Sequence, residues 1–239
     1  MKITHIPRYH GALRPTLIAF TLCLTAAMAV TTASAQFLSP KLSGKQTTVR
    51  RVLILPAKVD VVRDSMKGPE GMAAESDELS SRAGDAVAEV LTKKKNITAL
   101  PAPTAASGDA DPQAKYAISD IQSKFDDLLP KIAKKRSDVK KGRFTMGEEV
   151  LDLNLDKSAD AIVFIRGQGR KLTSGKQAFR ILVGGVPAYM ALQIVIVDAH
   201  TGEVLLYSDP MLMGDPTTAN DRLRKALEKG FKKMPAVTP

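Results

Sequence analysis

Asp198, His200 and Glu203 lie within six positions of one another in VDAHTGEVLLY (197–207). A carboxylate next to an imidazole is the pair that orients a general base, and the base would then need a nucleophile brought to it by folding. The flanking residues give a second reading. Leu192, Ile194 and Ile196 alternate with Gln193, Val195 and Val197, and Val204 and Leu206 alternate with Leu205 and Tyr207. Period-two alternation on both sides of DAHTG reads as two strands joined by a tight turn. Gly202 then supplies a positive φ, Asp198 bonds back to the turn amides, Thr201 belongs to the same turn, and His200 is an exposed turn residue. This structural reading accounts for Asp198, Thr201 and Gly202 together and is the preferred one.

Other residues of catalytic type are equally open to two readings. The pairs Asp126/Asp127 and Glu148/Glu149 are able to support acid–base chemistry, yet both sit on amphipathic stretches beside basic residues and read as solvated faces. GQGRKLTSGK (167–176) resembles a phosphate loop in composition only. Five residues separate Gly169 from Gly175 where four are required, and Gln177 stands where a magnesium-binding Ser or Thr belongs. No nucleotide or other cofactor is expected.

Composition narrows the chemistry further. Lys2, Arg8 and Arg14 precede the apolar run TLIAFTLCLTAAMAV (16–30), and ASA (33–35) offers the small residues read by a signal peptidase. Residues 1–35 are therefore expected to be a cleaved signal peptide and the protein to be periplasmic. The alternatives are an uncleaved membrane anchor, for which the 15-residue apolar run is short, and a lipidated Cys23, disfavoured by Leu22 in front of it. Removal of the signal lowers the formal net charge of +10 by three and takes away Cys23, His5 and His10. His200 is then the lone histidine and no cysteine remains, so a Cys/His zinc site is excluded and no metal is expected. The absence of Trp and an aromatic content of 5% argue against stacking platforms for sugars or single-stranded nucleic acid.

The elements that must position these groups follow from periodicity. VLIL (52–55) and AIVFI (161–165) are apolar on both faces and read as central strands. A helix is expected over 76–94, capped by Ser76 or Asp77, with Leu79, Ala83, Ala86, Val87, Val90 and Leu91 on one stripe. A second helix begins near Gln113 with Pro130 as a kink or a new start. Short elements are expected at 96–103 (strand) and 148–157 (helix), long strands at 189–199 and 203–213, and a last helix presents Leu223, Leu227, Phe231 and Met234. Residues 58–72 read as a loop, with a short strand extension at its start as the alternative, and 36–49 as a linker, with 50–235 forming one α/β domain and 236–239 a tail. The predicted fold is a three-layer α/β sandwich, with a mixed sheet of about five strands ending in an antiparallel hairpin and helices on both faces.

Two segments stand out as contact surfaces. AFRILVGGVPAYMAL (178–192) is apolar with paired glycines and reads either as a short buried helix with a turn or as a docking loop. The second reading makes Phe179, Ile181, Leu182, Val183, Val186 and Tyr189 a contact for a partner or another copy of the chain. The basic run holding Lys134, Lys135, Arg136, Lys140, Lys141 and Arg143 suits anionic lipid or glycan, against a solvated helix end. Nucleic acid is not expected for an exported chain.

VLILP after the signal, ADAIVFIRGQG (159–169), and ALQIVIVDAHTGEVL (191–205) before a final amphipathic helix ending near MP make the chain resemble the CsgG/LpoB-like superfamily of bacterial envelope proteins. The resemblance spans roughly residues 50–235. It implies a three-layer α/β domain acting as a non-enzymatic part of an envelope assembly for secretion, transport or wall synthesis, and it brings no catalytic residues. Channel-forming members insert long hairpins, for which LTSGKQAFRILVGGVP is too short, so a pore is not implied. The alternatives from other classes are a periplasmic hydrolase using carboxylates and a lipid- or glycan-binding module using the basic helices. N-terminal sequencing of protein from the envelope should begin at Gln36; a blocked, lipidated Cys23 would refute this processing.

Overall fold

A computed structural model describes residues 35–102, 112–153, 158–183, 185–218 and 220–238. The expected signal peptide lies almost wholly outside the described residues. The strands are β1 (Gln36–Leu38), β2 (Arg51–Ile54), β3 (Lys58–Ser65), β4 (Gly68–Gly71), β5 (Thr98–Pro101), β6 (Ala161–Leu172), β7 (Tyr189–Asp198), β8 (Val204–Ser208) and β9 (Met211–Met213). The helices are α1 (Pro40–Ser43), α2 (Ala73–Lys95), α3 (Pro112–Lys134), α4 (Ser174–Val183) and α5 (Asn220–Gly230), with 3-10 turns at Arg136–Lys141, Glu148–Leu153 and Pro216–Thr218.

All nine strands form one mixed sheet whose main path runs β1-β8-β7-β6-β2-β5. β6 is parallel to β2 and antiparallel to β7. Its twelve residues are too long for β2 alone, so β2 pairs with its first part and β3 with Arg166–Leu172. β7 divides its other edge in the same way between β8 and β9. The sheet is thus mixed and three-layered, as expected.

Alternation along β6 feeds two cores. Ala161, Val163 and Ile165 face one side and pack with Leu79, Val87 and Leu91 of α2 and Leu223 and Leu227 of α5. Ile162 and Phe164 face the other, with Ile121 and Phe125 of α3 and Val139 and Val150 of the 3-10 turns. Phe125 stacks on Phe164 with ring centroids 4.4 Å apart. Leu223, Leu227, Phe231 and Met234 are all buried.

Several expectations are corrected. Among the described residues there are nine strands where about five were expected, the extra ones being short or half polar. The linker segment 36–49 carries β1 and α1, and β1 is paired to the β8 edge. The loop at 58–72 is instead the β3–β4 hairpin: Val59 and Val61 alternate with polar residues and are buried, which is a strand signature. The strand expected over 203–213 breaks at Asp209–Pro210, because proline has no N–H for the ladder. α3 is one helix through Pro130. The 148–157 helix is a 3-10 turn to Leu153; residues 154–157 lie outside the described residues. α2 starts at Ala73, and Ser76 does not cap it: Ser76 Oγ donates to the Met72 carbonyl (2.8 Å) and accepts the Val61 amide (2.9 Å). Ser80 Oγ accepts the Val59 amide in the same way (2.9 Å). These serines are engaged with β3, on the side away from β6.

The β7–β8 connection is closed by Asp198, whose Oδ1 accepts the amides of His200 and Thr201, both at 2.9 Å. The Gly202 amide donates to the Asp198 carbonyl, and Gly202 has φ +69°. A Cβ there would stand 2.2 Å from the Gly147 carbonyl oxygen. Two costs therefore coincide at one residue, left-handed backbone and a clash with main chain, whereas the exposed His200 side chain borders solvent. Chemical denaturation should show His200→Ala within about 0.5 kcal/mol of wild type and Gly202→Val destabilised by at least about 2 kcal/mol.

Candidate interaction surface

β3, β6, β7 and β9 come out at a common end of the sheet, since Asp64 pairs with Leu172, Arg170 with Tyr189, and Tyr189 with Met213. α4 leaves this end directly after β6. The stretch from Arg170 onward is thus the end of a long strand followed directly by a helix. GQGRKL belongs to the strand, and its glycines have packing reasons: a Cβ on Gly167 would meet Leu192 at 2.5 Å and Val59 at 3.1 Å.

Asp64 holds α4 in place. Its carboxylate is 5% exposed as a residue, and it accepts Lys176 Nζ at 3.0 Å with Arg170 Nε at 3.7 Å. Lys176 Nζ also donates to the Ser65 carbonyl (3.1 Å), and the Thr173 amide to the Asp64 carbonyl (3.2 Å). The first turn of α4 is stapled to β3 through one buried charge. Arg170 in addition lies over the Tyr189 ring, 5.8 Å from its centroid. Asp64 was not singled out from sequence: in VDVVRDS (59–65) it shares a face with the exposed Asp60 and lies opposite Val59 and Val61, so no local pattern marks it as buried.

Of the residues expected to touch a partner, Val186 is 52% exposed and Tyr189 half-buried. Phe179, Ile181, Leu182 and Val183 belong to α4, and the placement of their side chains lies outside the described residues. Two exposed methionines missed by the sequence reading join this end: Met66, at the tip of the β3–β4 hairpin, is 74% exposed and Met213 is 39% exposed.

The basic run is drawn into the fold more than a solvated helix end would be. Arg136 pairs with Asp209 at 2.5 Å, and Lys141 and Arg143 lie 3.2 and 3.9 Å from Asp138. Lys140 sits over the Phe37 ring, 5.4 Å from its centroid, with Arg136 also near it. Lys134 and Lys135 are exposed. Burial raises the Asp209 carboxyl above the usual Asp value, with the Ala35 amide and Arg136 pulling it back down. Asp126 is engaged by Arg166, whose Nε donates at 2.6 Å while the guanidinium covers Phe125.

An open recess of about 500 Å³ lies between β5 and α2, lined mainly by small and apolar residues such as Pro56, Gly84, Ala88 and Leu100, with Asp85 as its carboxylate. A polar recess of about 410 Å³ holds Glu78 and Asp221 together with Arg82 and Arg222. Both of its carboxylates are well exposed and arginine-paired. Among the described residues there is no group of three or more His, Cys, Asp or Glu able to hold a metal ion, and no helix long and apolar enough to cross a membrane.

No protein-family model matches the chain, and no curated protein matches it. Solved structures of similar fold include the PelC dodecamer from Paraburkholderia phytofirmans, 11% identical over 85% of this chain and 98% of that one, with a TM-score of 0.43. Lipoprotein GNA1162 from Neisseria meningitidis is 11% identical over 74% and 89%, TM-score 0.34. The LpoB C-terminal domain from Salmonella enterica is 12% identical over 72% and 93%, TM-score 0.27.

Replacing Asp64 by Ala leaves Lys176 and Arg170 without their shared carboxylate. The expected loss is about 1–3 kcal/mol, below that of a fully buried pair because both cations keep some contact with water. Hydrogen exchange should show α4 amides losing protection first while β6 and β7 stay protected; uniform loss would mean that Asp64 supports the whole domain.

Proposed function

We propose that this chain is a non-enzymatic protein of the bacterial envelope, exported by its leader, that binds another envelope component through the α4 end of the sheet. The observation that carries the reading is the exposed apolar group at that end, Met66, Val186 and Met213 with Tyr189, next to a helix held there by a buried charge. A large side chain exposed singly is ordinary; several gathered at one end of a sheet mark a contact. The leader, the basic composition and the resemblance of ADAIVFIRGQG and DAHTGEVL to the envelope family support the location. Phe179, Ile181, Leu182 and Val183 belong to this proposed contact by their place on α4. The partner is an envelope component or a second copy of the chain.

The hydrolase alternative finds less support. Asp126 serves Arg166, Asp64 serves Lys176 and Arg170, Asp138 serves Lys141, and Asp198 serves turn amides.

A photo-crosslinking residue at Val186 tests the reading in living cells. His200 is the control, since β7 carries it about 30 Å away, at the other end of the strand. Adducts are expected from position 186 and not from 200. No adduct at 186, or the same adducts from both sites, would remove this function.

A further inference from the structure

We infer that the component met by the α4 end is the anionic surface of a lipid bilayer; this rests on the function proposed above and names the chemistry of its partner. The first observation is charge. From Ala161 to Val197 the chain has five basic residues and no acidic one. Arg166 is buried against Asp126 at mid-sheet, so the remainder, Arg170, Lys171, Lys176 and Arg180, belong to the α4 end. Lys67 joins them from the β3–β4 tip, and Arg222 reaches the same end by donating to the Met213 carbonyl (3.0 Å). The acidic groups at this end, Asp64, Glu70 and Asp215, are fewer than these six cations. Asp64 is buried and already neutralised by Lys176 and Arg170. Glu70 stands opposite Arg63 in the hairpin, and Asp215 accepts both the amide and hydroxyl of Thr217.

The second observation is where the apolar side chains come from. Met66, Val186, Tyr189 and Met213 belong to a hairpin tip, a loop and two strand ends, which the pairing of β3, β6, β7 and β9 brings to one end of the sheet, with Tyr189 and Met213 level with Val62, and Met66 four residues further along the chain from β3. Two of them are unbranched, flexible methionines, and the tyrosine carries a hydroxyl beyond its apolar ring. Adaptable apolar tips, an amphipathic tyrosine and a surround of lysine and arginine match the boundary between headgroups and acyl chains, where apolar groups enter a short distance and cations stay with phosphates. The basic run at 134–143 lacks this pairing of charge with exposed apolar tips. An acidic protein partner would use the charges but has less need of scattered aliphatic tips.

The test uses protein purified from the envelope in the form the cell produces, with vesicles of phosphatidylcholine containing phosphatidylglycerol and vesicles of phosphatidylcholine alone. Expected is co-sedimentation with the anionic vesicles only, weakening as salt is raised because the attraction acts within a Debye length. Met66→Asp with Val186→Asp, and separately Lys67→Glu with Lys171→Glu, should each weaken binding at least about tenfold. Lys134→Glu with Lys135→Glu should leave it unchanged. All are surface positions, and an unaltered melting transition shows that the fold is kept. Equal binding to both vesicle types, binding indifferent to the first two variants, or loss through Lys134 and Lys135 instead would each overturn the inference. If anionic vesicles are not bound while the residue at 186 crosslinks a protein, the lipid inference fails and the proposed function stands; if neither occurs, both fail.

Discussion

The rest of the molecule depends on β6 being apolar on both faces. A strand covered on one side needs only alternate residues to be apolar, but Ala161–Ile165 sends successive side chains into two separate cores. Each core then needs its own helices: α2 and α5 on one face, α3 and the 3-10 turns on the other. β6 outlasts its parallel neighbour β2, so β3 has to continue along its edge. Beyond Ile165 the strand changes character. Arg166 turns to α3 and Gly167 and Gly169 narrow the strand, which lets Val59, Val61 and Leu192 close in. Core and contact end are two halves of one strand with different compositions.

Legibility followed this physical division. VLIL and AIVFI read as central strands because burial on both faces leaves an uninterrupted apolar run, a signal that survives without tertiary context. The stripes of α2 and α5 were equally plain, since helical period does not depend on the partner. The elements that escaped take their stability from neighbours. β1 has three residues and persists because β8 offers an edge and Lys233 donates its amide to the Gln36 side chain. β9 is continuous with β8 apart from the Asp209–Pro210 break. β4, GPEG, has no strand propensity and is held by β3 through a turn.

The candidate surface was partly visible for the same reason. Paired glycines and aliphatic residues in 178–192 marked an unusual connection. The helix within it was one of two readings, and choosing it depends on Asp64, more than a hundred positions earlier in the chain. No local pattern joins a carboxylate in β3 to a lysine in α4. Met66 and Met213 were invisible as surface residues because an isolated methionine in sequence says nothing about exposure. The turn at 198–202 was more readable, since Asp and Gly act there on their own backbone; the close approach of Gly147 to Gly202 was not, being a contact between distant segments.

The serines of α2 bear on how this molecule tolerates crowding. Between the last residue of β2 and the start of the β4 pairing, the side of the chain away from β6 has no strand beside it among the described residues. Unpaired strand amides are templates on which a foreign extended chain adds itself. Here the amides of Val59 and Val61 already donate to hydroxyls of Ser80 and Ser76, and the Val61 carbonyl accepts the Met72 amide. The gap in the sheet is chemically closed although geometrically open. A misfolded neighbour finds no free amide at Val59 or Val61 to extend from, so this interruption in the sheet is guarded against fibril-like growth by two side chains small enough to lie flat against the strand.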